Sequence, residues 1–312
     1  MYISVNDVSE LRPLKHGCCI AGGTDLIPLL KAGVKKPATL IDVTKIPELG
    51  GIRLSGADIS IGAAVTLAEI AGSSVIRQHL PALAESAART ASLQIRNVAT
   101  LGGNVMQDRR CIFFNQSAFW RSSLPKCFKT GGSVCHQIKT SPQCRAIYYS
   151  DPATALFLYE AQVCVLKDGN RAVMPITVLV AAHSARNGLS SNDSELLVLR
   201  FVIPLPPGQE KSCFLKYSVR ASIDFPIVNF GLRHSGGARP ALAVAGAIAP
   251  VPQVLGETSA FLDSGGYDRT KCLDIALREL KAQSRLIRES VITPQIKRDS
   301  FRMIWKLLPQ EI

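Results

Sequence analysis

Short apolar runs cut by glycine and proline dominate the chain, and long periodic helices are scarce. Residues 18–21 (CCIA) run into Gly22-Gly23, then Thr24-Asp25, then LIPLL, which predicts a strand, a tight glycine turn and a capped helix start. Residues 38–43 (ATLIDV) read as a buried strand and 46–51 as a turn. Residues 53–54 and 59–61 read as a hairpin around Ser55-Gly56-Ala57-Asp58. Thr66 with Glu69 three positions later is a capping-box pattern. Pro81 opens a predicted helix over 81–91. A second glycine pair, Gly102-Gly103, marks a further turn within residues 94–105 (QIRNVATLGGNV).

The second half alternates more regularly. Asp151 reads as a helix N-cap with Pro152 at the first helical position. Residues 161–166 and 171–175 predict a hairpin turning at Lys167-Asp168-Gly169-Asn170. Residues 195–203 (ELLVLRFVI) predict a strand ending at Pro204, and Leu205-Pro206-Pro207-Gly208 a boundary. Strands are then expected over 212–219, 227–232 and 241–248. Leu273, Leu277 and Leu280 recur at helical spacing, and residues 296–308 form an amphipathic terminal helix expected in core or subunit contact.

At 312 residues, with 47% hydrophobic and 19% charged positions, the chain is long enough for two or three globular domains. Residues 241–255 form the best apolar stretch, and Pro250 and Pro252 break it, so no membrane span is expected. The first residues lack a basic start and an apolar core, which argues against a secretory signal and for a cytoplasmic setting with reduced thiols. The net charge is +12, but aromatics are only 6% and no DNA-binding motif or stacking platform is present. Nucleic acid is therefore not the expected partner; an acidic protein or a plain solvated basic surface fits better.

Candidate chemistry lies in three places. Glycine pairs let backbone approach a ligand closely, and N–H groups at a helix start favour phosphate. Two such pairs, each beside a threonine (Thr24, Thr100), suit two backbone walls around one diphosphate, although plain turns need no ligand. Arg96 reads as a structural ion-pair partner. Cys111, Cys127, Cys135 and Cys144 fall within 34 residues at gaps of 15, 7 and 8, inside a polar, proline- and glycine-containing loop. A long irregular loop needs a reason, and a metal centre would replace its missing core. The close C-x2-4-C pair usual for zinc is absent, as is the tight spacing of simple ferredoxins. Spacing alone leaves an iron–sulfur cluster, zinc and chance loop cysteines open. His136 reads as a lone, solvent-facing histidine. Cys18, Cys19, Cys164, Cys213 and Cys272 sit in apolar settings and read as core.

AGGTDL (21–26), IRNVATLGGN (95–104) and SDPATAL (150–156), in this order, resemble the FAD-binding subunit of the molybdenum hydroxylase family, which includes xanthine dehydrogenase. Residues 39–52 and 214–230 extend the likeness over nearly the whole chain. The resemblance implies an α+β fold: FAD-binding subdomains over 1–54 and 55–205, then a C-terminal α+β domain of the CO dehydrogenase flavoprotein type over 206–312. Most members run directly from the second glycine pair to the aspartate. The four-cysteine insert, 107–148, is similar to that of 4-hydroxybenzoyl-CoA reductase β-subunits, which hold a 4Fe–4S cluster beside the FAD. On that likeness Cys111, Cys127, Cys135 and Cys144 would be the cluster thiolates.

The resemblance further implies FAD contacts. Cys19, Ile20, Ala21, Gly22, Gly23, Thr24, Asp25 and Leu26 would wrap the pyrophosphate, and Thr100, Leu101, Gly102, Gly103 and Asn104 would form the second wall. Asp151 would hold hydroxyls of the FAD chain. Thr90, Val198 and Lys216 match positions near the flavin in relatives. The implied partners are a large molybdenum-cofactor subunit and a small 2Fe–2S subunit, in a dimer of heterotrimers, with a ferredoxin-like donor. Electrons would run from ferredoxin through 4Fe–4S, FAD and 2Fe–2S to molybdenum, for reductive dehydroxylation of an aromatic CoA thioester. Three alternatives remain: an FAD subunit of another molybdenum hydroxylase oxidising an aromatic heterocycle or aldehyde, a non-redox scaffold whose cysteines bind zinc, and a stand-alone NAD(P)H flavin reductase. The last is weakened by the lack of a separate dinucleotide motif.

Overall fold

Three β-sheets, each built from one continuous stretch of chain, carry the helices on their faces. The computed structural model describes residues 1–11, 17–185, 196–206, 208, 210–220, 222–234, 239–265, 268–283 and 292–308. The first sheet is parallel: β1 (Tyr2–Ser4), β2 (Cys18–Ile20) and β3 (Leu40–Asp42), in the order β1-β3-β2. Parallel neighbours need a crossover, and the helix Leu26–Lys31 supplies it between β2 and β3. This places the glycine loop at the carboxyl end of β2, where ligands gather in parallel sheets.

The second sheet is antiparallel, with β4 (Ile52–Ser55), β5 (Asp58–Gly62), β6 (Gln162–Lys167), β7 (Asn170–Pro175) and β8 (Leu196–Pro204) in the order β4-β5-β8-β6-β7. Between β5 and β6 the chain leaves the sheet, forms several short helices and the cysteine insert, and returns through the helix Asp151–Leu158. That helix is buried along its whole length. The third sheet is β9 (Lys211–Tyr217), β10 (Val228–His234), β11 (Leu242–Gly246) and β12 (Gln253–Val254), in the order β12-β11-β10-β9. Its helices pack Phe301 edge-on against Phe230, with ring centroids 5.3 Å apart, and Trp305 beside both. The expected α+β architecture is what is found. No helix among the described residues is long and apolar enough to cross a membrane.

Local signals formed as read where they depend on near neighbours. Thr66 and Glu69 make the reciprocal capping box. Asp168 (φ 52°) and Gly169 (φ 79°) take the left-handed conformations that a two-residue hairpin turn requires. Pro81 begins its helix, which stops at Ala88, short of the predicted 91, and Ala91 turns left-handed at φ 49°. Glu195 and Pro207 lie outside the described residues.

Three readings need correction. Gly102-Gly103 is no turn: it begins the helix Leu101–Val105, and Thr100 Oγ1 caps it by accepting the Gly103 N–H at 3.1 Å. The N-cap before Pro152 is Ser150, whose Oγ accepts from Ala153 N at 3.1 Å, so Asp151 is free for other work. Asp25 occupies an N-cap position but caps nothing; its carboxylate reaches instead to the insert, accepting from Asp108 N at 2.9 Å and Arg110 Nη2 at 2.8 Å.

The insert is mostly irregular, with one short helix (Ala118–Ser122) and one 3-10 turn (Phe128–Thr130). Its ends are stapled by reciprocal backbone bonds between Arg110 and Ile147, at 2.8 and 2.9 Å. Its start is pinned by His183, whose Nε2–H donates to Gln107 O at 2.9 Å while Nδ1 has no hydrogen-bond partner. Burial pulls this imidazole down to about 4 and holds it neutral. In the unfolded chain it protonates near its ordinary value. Its stabilising contribution is therefore complete above that value and is lost as pH falls toward the folded one. Lowering the pH from about 7.5 to about 5 is expected to cost about 2 kcal/mol through this group. Urea unfolding of wild type and His183→Gln at both pH values checks this, the variant showing a shallower acid loss.

Candidate functional site

Two adjoining clefts, open to solvent, run between the three sheets. They share Thr24, Asp25, Gly103 and Gln107, so they form one groove. The first is lined by residues 19–26, with Thr100, Gly102, Gly103 and Val198. The second is lined by Thr90, Asn104, Asp151 and Lys216, with Arg110 and Phe225. Every residue expected at the flavin therefore borders the groove except Leu101. That side chain is wholly buried and its N–H is held by Val65 O at 2.9 Å, because it is the first core residue of its helix.

Glycine is required in both walls for contact reasons. A Cβ on Gly22 would lie 1.8 Å from Val98 O, and one on Gly102 would lie 2.8 Å from Ala63 Cβ. The walls differ in what they offer. In the second wall the Gly102 N–H bonds Ala63 O at 2.8 Å, Gly103 N–H bonds Thr100 Oγ1, and Asn104 N–H bonds Thr100 O at 2.8 Å. In the first wall, among the described residues, the backbone N–H groups of Gly22, Gly23, Thr24 and Asp25 meet no acceptor within the chain. Four backbone donors without an acceptor in the chain are what an anion would need, while the second wall leaves no backbone N–H of residues 101–104 open.

The far end of the groove is ionic and buried. Lys216 Nζ lies 2.8 Å from Asp151 Oδ2 and also donates to Arg89 O at 2.8 Å. Asn229 Nδ2 donates to Asp151 Oδ1 at 2.6 Å, and Thr154 Oγ1 donates to Asn229 Oδ1 at 3.0 Å. Burial pushes the Asp151 carboxyl up, against the opposing pull of the Lys216 ammonium. Thr90 Oγ1 is tied back to Ser86 O at 2.8 Å. Among the described residues Arg96 forms no ion pair; its guanidinium donates to the carbonyls of Thr90 and Ala91 at 3.0 and 2.8 Å, fixing that corner. Sequence reasoning missed Arg110 and Phe225. Arg110 bridges to Asp25 and lies 4.5 Å over the Phe225 ring, which offsets the negative charge in the anion loop. No spacing rule joins positions so far apart.

All four insert cysteines line one small pocket, together with Phe113, Phe114, Lys129 and His136. Two closures bring them there. The Arg110–Ile147 staple sets Cys111 near Cys144, and a tight loop pairing Cys127 with Val134 sets Cys127 near Cys135. Gly132 is needed in that loop, since a Cβ there would lie 1.8 Å from Lys126 O. The thiols are free, and several donors face the sulfurs. The Phe113 and Phe114 N–H groups and Gln137 Nε2 (3.8 Å) approach Cys111 Sγ, Thr130 Oγ1 approaches Cys127 Sγ at 3.7 Å, and Ala146 N approaches Cys144 Sγ at 3.4 Å. Burial raises the Cys111 thiol above its ordinary value. Among the described residues no group of three or more His, Cys, Asp or Glu side chains is arranged to hold a metal ion. Beneath the pocket Lys129 is paired with Asp108 and donates to Arg109 O at 2.8 Å. His136 is half-buried, with Nε2 2.9 Å from Pro125 O and its ring 5.4 Å from Phe113, so it is not the solvent-facing residue expected. Of the five cysteines read as core, Cys18 and Cys272 are buried, whereas Cys19 lines the first cleft.

Comparison with known proteins gives a consistent picture. Residues 2–206 match the model of a family described as FAD binding domain in molybdopterin dehydrogenase. The aldehyde oxidoreductase FAD-binding subunit PaoB of Escherichia coli is 30% identical over 263 residues, 79% of each chain. The 6-hydroxypseudooxynicotine dehydrogenase complex subunit alpha of Paenarthrobacter nicotinovorans is 44% identical over 86 residues, 28% of this chain and 29% of that protein, so the chain matches under a third of its length. The carbon monoxide dehydrogenase medium chain of Hydrogenophaga pseudoflava is 41% identical over a similar 86 residues, 30% of its length. In solved structures, carbon monoxide dehydrogenase from Hydrogenophaga pseudoflava aligns with a TM-score of 0.75 at 19% identity, covering 98% of this chain and 94% of that one. Quinoline 2-oxidoreductase from Pseudomonas putida aligns at 0.70 and 17% identity, with the same coverage, a likeness of fold.

Because Gly22 holds the anion loop against Val98, Gly22→Ala is expected to lower flavin retained by the purified protein about tenfold or more. Gly72→Ala is the control, since a Cβ there meets nothing within 4 Å. Visible flavin absorbance per chain after gel filtration reads both.

Proposed function

The chain belongs to the family of FAD-binding domains of molybdopterin dehydrogenases, and on that premise we propose that it is the flavin subunit of a molybdenum-dependent oxidoreductase complex whose cysteine loop holds a second redox centre, a 4Fe–4S cluster. The flavin diphosphate binds the free N–H groups of the loop 22–25, with Gly102 and Gly103 closing over it. Arg110 offsets Asp25, which would otherwise repel the phosphates. Asp151, held by Lys216 and Asn229, faces hydroxyls of the FAD chain, and Thr90, Val198 and Lys216 border the flavin itself.

The observation that carries the second centre is the gathering of Cys111, Cys127, Cys135 and Cys144, all free thiols, on one cavity with donors aimed at their sulfurs. Four thiolates are the ligand set of a cubane cluster, and donors to sulfur stabilise the thiolate and tune the potential. When bound, the cluster supplies one-electron transfer and the flavin one- or two-electron transfer. The buried Lys129 and Arg109 place positive charge beside anionic thiolates. The aromatic side chains Phe113, Phe114 and Phe128 line the same pocket.

The partners on this reading are a large molybdenum subunit and a small 2Fe–2S subunit, with a ferredoxin-like donor. The complex acts as a reductase of the 4-hydroxybenzoyl-CoA type, the insert being its distinguishing mark. The second reading is an FAD subunit oxidising an aldehyde or aromatic heterocycle, which the match to the aldehyde oxidoreductase subunit favours. A non-redox zinc scaffold leaves membership of an FAD-binding family unexplained.

Anaerobically purified protein is expected to carry flavin and about four irons per chain, with an EPR signal on reduction, and Cys135→Ser to lose most of the iron. Flavin without iron, or a full iron load in the serine variant, would overturn the cluster; one zinc per chain without flavin would favour the scaffold.

A further inference from the structure

Four consecutive residues at the neck of the cysteine loop serve two sites. On one side, the Asp108 N–H and Arg110 Nη2 donate to the two carboxylate oxygens of Asp25, at 2.9 and 2.8 Å. On the other, Lys129 pairs with the Asp108 carboxylate and donates to Arg109 O at 2.8 Å. Arg109 Nη1 donates to Cys144 O at 3.3 Å, and Cys111 lines the thiol pocket. The reciprocal backbone bonds between Arg110 and Ile147 close the loop at this same point. A shift of residues 108–111 on the thiol side therefore disturbs what they hold on the other.

Asp25 is an awkward residue for its place. It belongs to the loop whose N–H groups at 22–25 meet no acceptor among the described residues, and an uncompensated carboxylate there would repel an anion. Among the described residues, both groups that hold this carboxylate come from the insert, and Arg110 is its one ion-pair partner. The pair is partly buried, with side chains 29% and 22% exposed, so solvent compensates for its loss only in part. Arg110 is in turn fixed by Asp25 and by the Phe225 ring, since its buried Nε has no acceptor among the described residues.

We propose that closure of the cysteine loop is the condition for tight flavin binding, with Arg110 as the positioning residue that acts through Asp25. The inference rests on the reading of loop 22–25 as the flavin diphosphate site; the thiol centre enters only as what helps keep the insert closed. In the closed loop, Arg110 and the Asp108 N–H engage the Asp25 carboxylate, and the free N–H groups are left for the diphosphate. In the open loop, the carboxylate is released beside those N–H groups, competes for them and repels the phosphates. The linkage is reciprocal: a flavin that prefers the closed loop also holds it closed, and so slows loss of whatever the four thiols bind. Flavin is thereby retained by chains whose insert is already folded.

The test is the FAD affinity of the full chain, purified anaerobically and freed of flavin, read by quenching of FAD fluorescence. Arg110→Met is expected to raise Kd about tenfold or more, and Arg110→Lys, which keeps the charge, to recover most of that loss. Adding Asp25→Asn to Arg110→Met should also recover most of it, which a merely structural arginine would not allow. Lys129→Met, which loosens the neck from inside the insert without touching Asp25, is expected to raise Kd as well, and Asp25→Asn to offset that rise. Unchanged affinity in Arg110→Met or in Lys129→Met overturns the proposal, as does a double variant no better than Arg110→Met. Wild-type chain that binds no FAD sinks the flavin reading itself, whereas wild type that binds FAD and variants that match it sink the coupling alone. Iron content on the same samples separates the third idea: iron-free protein that still shows the Arg110 and Lys129 effects keeps the coupling and sinks the cluster.

Discussion

Arg110 ties the molecule together. Its backbone pairs with Ile147 and closes the cysteine loop at its neck, while its guanidinium holds Asp25 in the anion loop and covers Phe225 beside β10. One residue thus joins the insert, the parallel sheet and the third sheet. The partly buried Arg110–Asp25 pair resists screening more than a surface pair, and each partner would be costly to leave alone. The groove and the cysteine cavity keep their relative placement through this contact, which matters if charge is to pass between them.

The insert folds without an ordinary apolar centre. Its interior is Phe114 with Lys129 4.2 Å over the ring, the Lys129–Asp108 pair, Arg109 and four thiols. The small apolar cluster at its base is Ile147 and Tyr149 with Ala247, joined by Ile138. Such a loop has little hydrophobic free energy of its own, and a centre bound by four thiolates would supply folding energy in its place. Neutral His183 at its neck is consistent with that economy: it gives one hydrogen bond to Gln107 and adds no charge to an already basic segment.

The groove is asymmetric for a structural reason. The first glycine pair follows a parallel strand, so its N–H groups emerge at the strand end with no neighbour to receive them. The second begins a helix whose cap and strand-side contacts use its donors. The Lys216–Asp151–Asn229 network then stitches the buried helix Asp151–Leu158 to β9 and β10, which sets the far end of the groove.

What neighbouring residues decide was readable in advance. The Thr66 capping box, the Asp168-Gly169 hairpin, the proline-led helix at Pro81 and the strand before Pro204 all rest on torsional preference and contacts a few residues apart. The residues that the resemblance assigns to the flavin all border the groove except Leu101. Near misses came where two adjacent residues compete for one role: Ser150 took the cap expected of Asp151, and Thr100 made a helix of an expected turn. Half the net charge is in the insert, because acids are nearly missing there. The chain's local pattern therefore determined many of its elements and its mixture of helices and strands. Only the tertiary structure decided that Cys111, Cys127, Cys135 and Cys144 share one cavity, that Arg110 answers Asp25, and that Phe119 stays uncovered. Those contacts join positions far apart in the chain, where no local torsion carries information and only the packing of sheets and loop closures sets who meets whom.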